Sequence, residues 1–173
     1  MKEIKILIAK RRNKQIREVF DKTWLATYPN KKYGITVDDI KDHIEKRHKK
    51  IKKSKKDNIK NSPKEQILLI AKEGTKVVGA CRIILKEDRN QLQAIYVLPE
   101  YQGKGIGTMF WHEVQKYADP IKDFYVELAV YNKNALNFYK KLGFIDTKRR
   151  IKNERLRMKS GNIIPEMEMI FKK

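Results

Sequence analysis

A chain of 173 residues, 40% hydrophobic and 36% charged, has the composition of a single globular domain large enough for a substantial core. Its 41 lysines and arginines against 21 acids give a formal charge of +20, a surface that attracts polyanions and repels small polycations. One cysteine, Cys81, excludes an internal disulfide and any multi-cysteine metal site, and His43, His48 and His112 show no ligand spacing.

Residues 4–9 alternate and predict an edge or first strand. Lys5 and Lys10 break the apolar stretch, so no signal peptide is read there. No run reaches membrane-span length, and the expectation is a cytoplasmic protein without membrane contact or structural metal. Residues 13–28 predict a helix with Ile16, Val19, Phe20, Thr23, Trp24 and Thr27 on one face, Asn13 as N-cap and Pro29 as the stop. Residues 36–49 predict a second helix: Thr36 caps it, Asp38 and Asp39 suit its positive end, and Ile40 and Ile44 form its apolar stripe. Over residues 46–60 Asp57 is the one acid among many bases. Like charges at helical spacing repel, so the helix should fray into a lysine-rich loop insertion over residues 46–63. Contact of this segment with RNA or another polyanion stays open, but it lacks interleaved aromatics and any nucleic-acid motif.

Residues 66–72 and 77–86 predict strands joined by a turn at Gly74-Thr75, with Gly79 marking a bulge or a close approach. Asp88-Arg89-Asn90 turns the chain into a third antiparallel strand over 91–97. Gly103, Gly105 and Gly107 then precede a helix in which Ile106, Met109, Phe110, Val114, Tyr117 and Ala118 recur at three-and-four spacing. A glycine turn feeding a helix start offers unpaired N–H groups and a positive dipole end, which suits a pyrophosphate. The G-x-G-x-G run fits neither the dinucleotide fingerprint nor the P-loop. A strand over 124–130 follows, and the strand–helix–strand crossover makes it parallel to 91–97. Residues 132–143 predict a helix capped by Asn132 and ended by Gly143, with Ala135, Phe138, Tyr139 and Leu142 on one face. Residues 145–173 supply closing strands around a Gly161-Asn162 turn. The order predicts an α/β (α+β) fold, a mixed and mostly antiparallel central sheet flanked by helices.

Gln102-Gly103-Lys104-Gly105-Ile106-Gly107 resembles the Q/R-x-x-G-x-G/A signature of the GNAT superfamily of N-acetyltransferases, and the preceding Val97, Pro99 and Gln102 resemble its V-x-P-x-x-Q lead-in. Residues 132–144 resemble the family's N-x-x-A-x-x-x-Y-x-x-x-G-F segment, matched at Asn132, Ala135, Tyr139, Gly143 and Phe144. Trp24 and Tyr28 match a W-x-x-x-Y pattern near the acceptor side, although a plain core role for Trp24 is as consistent. The resemblance implies acetyl-CoA as cosubstrate and an acyl-CoA N-acyltransferase fold, in which strands 91–97 and 124–130 splay around the pantetheine arm. Backbone groups of Ile95 and Val97 would pair with that arm. The N–H groups of Gln102, Gly103, Lys104, Gly105, Ile106 and Gly107 would hold the pyrophosphate, with Thr108 adding a hydroxyl. Asn132 would bond to the arm from the other side, and Tyr139 would protonate the leaving thiolate.

The base is where this chain departs from the family pattern. Many relatives carry a glutamate on the strand before the glycine turn; here Gln93 stands there, and an amide cannot take a proton. Glu127 and Glu87 come into question only by proximity, a water chain serves equally, and the sequence assigns none. The acceptor amine is open among protein N-termini, lysines, polyamines and other small amines. The net charge opposes a polyamine unless Glu18, Asp21, Asp38 and Asp39 form a local acidic pocket. The alternative is a GNAT-fold module with weak or lost chemistry that binds RNA or ribosomes through its basic surface. The sequence leaves the oligomeric state open.

Overall fold

Asn13 starts the first helix as its sequence position suggests: its side-chain oxygen accepts the Ile16 N–H at 2.9 Å. From there the computed structural model, which describes residues 3–53 and 66–173, gives the following order. The elements are β1 (Ile4–Ile8), α1 (Lys14–Thr27), α2 (Val37–Lys53), β2 (Gln66–Glu73), β3 (Lys76–Leu85), β4 (Asn90–Val97), α3 (Ile106–Val114), β5 (Phe124–Ala129), α4 (Lys133–Lys141), β6 (Ile145–Arg157) and β7 (Ile163–Phe171). The strands form one seven-stranded sheet in the order β1-β2-β3-β4-β5-β7-β6. Every neighbouring pair is antiparallel except β4 and β5, which are parallel. No described helix is long and apolar enough to cross a membrane.

Thr36 and Asp39 cap α2 reciprocally. The Thr36 hydroxyl accepts the Asp39 N–H at 3.0 Å, and Asp39 accepts the Thr36 N–H at 2.9 Å. Asp39 is only 2% exposed and also accepts the Ser160 N–H and hydroxyl, tying α2 to the β6–β7 turn. Burial raises its carboxyl pKa, but the hydrogen bonds from Thr36 and Ser160 outweigh burial and hold it below the usual range.

Two helix boundaries differ from the sequence expectation. The helix expected to fray from residue 46 continues to Lys53. Acids one turn earlier offset the basic run: Asp42 pairs with Lys46 at 2.8 Å and Glu45 with Lys49 at 2.6 Å, while Asp21 of α1 accepts from Arg47. The rest of the expected lysine-rich insertion, residues 54–65, lies outside the described residues. The other helix, α3, ends at Val114 rather than Ala118, because the Lys116 and Tyr117 N–H groups turn back to the carbonyls of Glu113 and Val114.

Gly79 fulfils both of its expected roles. A β-carbon there would lie 2.9 Å from the Phe110 ring of α3, and the β2–β3 register shifts beside it. The larger core joins the sheet to α3 and α4, where Trp111 meets Phe124, Phe144 and Phe171 edge to face. A second cluster, Trp24, Ile35, Ile40, Ile44, Ala129, Met158 and Ile164, packs α1 and α2 on the other side of β5 and β7.

The parallel pairing of β4 with β5 is short: Asn90 lies beside Phe124, Gln91 beside Tyr125 and Leu92 beside Val126, and there it stops. Asn90 clamps this closed end. Fully buried, its side-chain amide donates to the carbonyls of Asp119 and Lys122 at 2.9 and 2.7 Å and accepts the Asp119 N–H at 3.0 Å. Asn90→Ala should cost roughly 2–4 kcal/mol, because each buried polar group left unpaired costs about 1–3 kcal/mol. Asn90→Asp, which removes both donors, should cost a similar amount. Urea unfolding measures both, and losses under about 0.5 kcal/mol would show the clamp to be dispensable.

Candidate active site

Beyond the last parallel pair, β4 and β5 separate and leave a cleft in the sheet. The Leu98 N–H donates to the Val78 carbonyl at 2.9 Å. By the two-residue alternation of a strand, Tyr96 also turns its peptide groups to β3, while those of Ile95 and Val97 point toward β5. No β5 partner meets them there, so they line the cleft. The Val97 carbonyl accepts the Gln102 side-chain amide at 3.0 Å, which leaves the Val97 N–H. Gln93 is the extra residue of a bulge: Arg82 opposes Ala94 and Ile83 opposes Leu92, with nothing opposite Gln93. A bulge bends its strand, and this one lies where β4 departs from β5. The Gln93 side chain is exposed.

The glycine turn follows a 3₁₀ turn over Pro99–Tyr101. The Gln102 N–H donates to the Pro99 carbonyl at 3.2 Å, so it is already engaged. Gly103 and Gly105 have φ of 74° and 78°, in the left-handed region, and a β-carbon on either would meet nothing within 4 Å. Gly105 is the N-cap of α3, and its carbonyl accepts the first helical bond, from the Met109 N–H at 3.0 Å. The N–H groups of Ile106, Gly107 and Thr108 therefore have no acceptor within the helix. The Thr108 side chain is exposed beside them, and the Lys104 ammonium rests 4.8 Å from the centre of the Tyr101 ring. Gly107 does a different job from the other two glycines. Its β-carbon would sit 3.0 Å from the Phe138 ring, where α3 meets α4.

Asn132 caps α4, its side-chain oxygen accepting the Ala135 N–H at 3.1 Å. Tyr139, 5% exposed, sits between the rings of Phe138 and Phe144, and its hydroxyl makes no hydrogen bond among the described residues. Burial, then the nearby Cys81 and Tyr96, push its pKa far above the ordinary phenol range. Tyr139 thus holds its proton at any working pH.

On the α1–α2 side, aromatic groups form a linked wall. The Trp24 indole N–H donates to the Tyr96 hydroxyl at 3.1 Å, the Tyr28 and Tyr96 hydroxyls lie 3.2 Å apart, and the Tyr131 hydroxyl donates to the Tyr28 carbonyl at 2.8 Å. Trp24 also stacks on His43 with ring centroids 4.7 Å apart, and it belongs to the second core cluster. It is core and cleft wall at once.

The four acids that sequence pointed to as a pocket do not form one. Asp39 is committed to Thr36 and Ser160, Asp21 to Arg47, Glu18 lies 3.9 Å from Lys14, and Asp38 lies 3.8 Å from Lys41. Glu87 sits on the exposed β3–β4 turn, beyond the closed end of the cleft. Glu127 is better placed, as the first residue of β5 past the last pair with β4. It stands opposite Glu168, while Ala129 stands opposite Glu166. Directly opposed residues share a face, so Glu127, Ala129, Glu166 and Glu168 all face the α1–α2 side.

Glu168 is paired with Arg89 at 3.3 Å and Arg149 at 3.2 Å. Glu166 has no such partner: one carboxylate oxygen is buried without a hydrogen bond. Burial first and the charge of Glu127 second push its pKa up to about 7, with Asn153 opposing slightly. Glu166 escaped sequence reasoning. In an alternating strand, Glu166 and Glu168 look like the solvent-facing positions, and only the non-local coverage by α1 and α2 makes that face an interior one.

The model of the acetyltransferase (GNAT) family matches residues 15–144. An uncharacterized N-acetyltransferase of Methanocaldococcus jannaschii is 40% identical over 63 residues, which is 35% of this chain and 28% of that relative's length. Among solved structures, the PaiA N-acetyltransferase of Thermoplasma acidophilum, in complex with coenzyme A, has a TM-score of 0.65 at 19% identity, covering 99% of each chain. The ribosomal-protein-S18-alanine N-acetyltransferase of Escherichia coli has a TM-score of 0.59 at 13% identity, covering 98% of this chain and 93% of its own. At such identities the structural likeness speaks for the fold. The family match spans most of the chain and takes in the glycine turn and the Asn132–Tyr139 helix. The chain belongs to the GNAT family of acetyltransferases, whose cosubstrate is acetyl-CoA.

Proposed function

We propose that the protein transfers the acetyl group of acetyl-CoA to a primary amine. The cleft between β4 and β5 is the observation that carries this reading, because it opens beside a glycine turn whose helix N-terminus has free N–H groups. The pantetheine arm is amide-rich and suits the cleft-facing peptide groups of Ile95 and Val97. The pyrophosphate suits the N–H groups from Gly103 to Thr108, and the remaining Asn132 amide group suits the arm from the α4 side. The free Val97 N–H is then the donor for the thioester oxygen, where negative charge develops as the amine attacks. Holding thioester and amine in attack geometry supplies much of the acceleration, about 7–11 kcal/mol in favourable cases. The acceptor class is a primary amine: a protein N-terminus, a lysine, a polyamine or another small amine.

Tyr139 is the proton donor to the departing thiolate in this reading. Its contribution is bounded by its surroundings. A free thiol has a pKa of about 8.5, so thiolate already leaves readily. A phenolate at the Tyr139 position would be stranded among Phe138 and Phe144, so donation must be coupled to reprotonation.

Release of free thiol from acetyl-CoA in the presence of an amine panel tests the activity. Thiol release that no amine accelerates would favour a module that binds through its basic surface. Gly105→Val tests the phosphate site more cleanly than any change at Gly107, which would also strike Phe138. The variant should fold, with about 1–2 kcal/mol lost to its left-handed backbone, and coenzyme A should no longer raise its melting temperature. Coenzyme A stabilisation equal to wild type in folded Gly105→Val would remove the glycine turn from the site. Tyr139→Phe should lower kcat by about 10- to 100-fold, at or below the low end of acid catalysis, with little change in acetyl-CoA affinity. Wild-type turnover below pH 8 would exclude Tyr139 from proton transfer.

A further inference from the structure

The cleft has a donor for the thioester and an acid for the thiolate, but the position that the family pattern reserves for a base holds an amide. Gln93 is exposed on its bulge and cannot accept a proton. On the opposite wall, two carboxylates start where β5 leaves β4. Glu127 and Glu166 are diagonal neighbours across the β5–β7 ladder, and such neighbours lie about 7–8 Å apart with their β-carbons somewhat closer. The two carboxyl groups feel each other's charge, a repulsion that a cation bound to both would relieve. Among the described residues neither forms an ion pair with a lysine or arginine, in a chain with 41 of them. The third acid on that face, Glu168, has two arginines.

We infer that Glu166 is the base for acetyl transfer, and that Glu127 and Glu166 together receive the acceptor as its ammonium ion. The inference rests on the proposed amine acetylation and adds its acceptor subsite. An alkylammonium carries three N–H donors, enough to bond to both carboxylates at once. The Glu166 carboxylate oxygen that is buried without a hydrogen-bond partner is the acceptor atom for the ammonium. Tyr28, the C-cap of α1, and Tyr131 after β5 lie within electrostatic reach of Glu166. The groups that act on Glu166 are thus Glu127 from β5, Tyr28 at the C-cap of α1, Tyr131 from the segment after β5 and the neutral Asn153 from β6.

The protons balance. The ammonium gives one proton to the Glu166 carboxylate, and the neutral nitrogen attacks the acetyl carbon. As the C–N bond forms and the C–S bond breaks, a second proton ends on the thiolate by way of Tyr139. The third stays on the amide nitrogen, and Glu166 returns its proton to solvent. One ammonium and one thioester become one amide, one thiol and one released proton. The pKa of Glu166, raised by burial and by Glu127, lies near neutrality, where a base can both take and return a proton.

Two measurements on the full-length protein test this. In the first, the glutamate carboxyls are labelled with carbon-13 and titrated by NMR, with n-butylammonium chloride as the probe. One carboxyl should titrate about 2–3 pH units above ordinary glutamates, vanish in Glu166→Gln, and move to lower pH when butylammonium is added. In the second, kcat/KM is followed from pH 6 to pH 10 with the most active amine of the panel under saturating acetyl-CoA. Wild type should rise to a plateau above about pH 7.5. Glu166→Gln should lose about 10²–10³-fold at pH 7 and keep rising toward the pKa of the free amine, with coenzyme A affinity unchanged. Glu127→Gln should raise KM for the amine more than it lowers kcat, and Glu166→Asp should restore part of the activity.

A carboxyl at Glu166 that titrates with the others, or ignores butylammonium, overturns the assignment whether or not the protein is an acetyltransferase. So does a Glu166→Gln variant with the wild-type pH profile. If the carboxyl behaves as stated but no amine accelerates thiol release, the functional reading fails and the cation subsite stands.

Discussion

The site depends on one interruption: β4 and β5 pair over three positions and then part. A sheet gains by continuing its ladder, since every peptide group left without a partner in a buried place costs about 1–3 kcal/mol. Something must therefore hold the strands together at one end and force them apart at the other. Asn90 does the first, fixing the α3–β5 connection to the base of β4 through three hydrogen bonds. The bulge at Gln93 contributes to the second, bending β4 directly after its last pair with β5. The outcome is a slot whose walls already carry the donors and acceptors of a missing strand. In the proposed site, an extended chain of amides such as pantetheine would complete the sheet that the protein leaves unfinished.

What the sequence made legible about this arrangement is what its backbone demands locally. Gly103 and Gly105 stand where φ is positive, and the caps at Asn13, Thr36 and Asn132 each bond to an N–H three residues on. These constraints act over a few residues and leave a mark in the residue types. Asn90 shows the limit. As a turn residue after Asp88-Arg89 it was ordinary, and its bonds to residues about 30 positions on have no periodicity to reveal them. Helix α2 shows the same limit, because Asp21, which accepts from Arg47, lies on another helix. Gly107 was legible as part of a motif but not as the point where α3 packs on Phe138.

The charge of +20 and the carboxylates of the cleft act over different distances. At physiological ionic strength the screening length is about 8 Å. Surface lysines farther away than this act chiefly on approach, slowing cations and attracting polyanions such as coenzyme A. Inside, Arg47 and Arg82 act on Tyr96, but among the described residues Glu127 and Glu166 have no basic partner, and a desolvated carboxylate a few ångströms from an ammonium outweighs a screened surface field. A basic protein can therefore bind a cationic acceptor without contradiction, provided its pocket is small and its acids have no other partner.

Strand β5 also separates the two groups proposed to handle protons. Tyr139 approaches from the α4 side, in the core that holds Phe138 and Phe144, while Glu166 faces α1 and α2 with Tyr28 and Tyr131. Burial raises both pKa values, with opposite chemical consequences. The tyrosine is locked in its acid form. The glutamate is brought from permanently ionised to near neutrality, which makes it a stronger base than an exposed carboxylate. Acetyl transfer needs a proton removed on the amine side and one delivered on the sulfur side. If both groups shared one face, the base could take the proton meant for the thiolate. Their placement on opposite faces of a splayed sheet, with the thioester bound between them as proposed, would give each proton its own route.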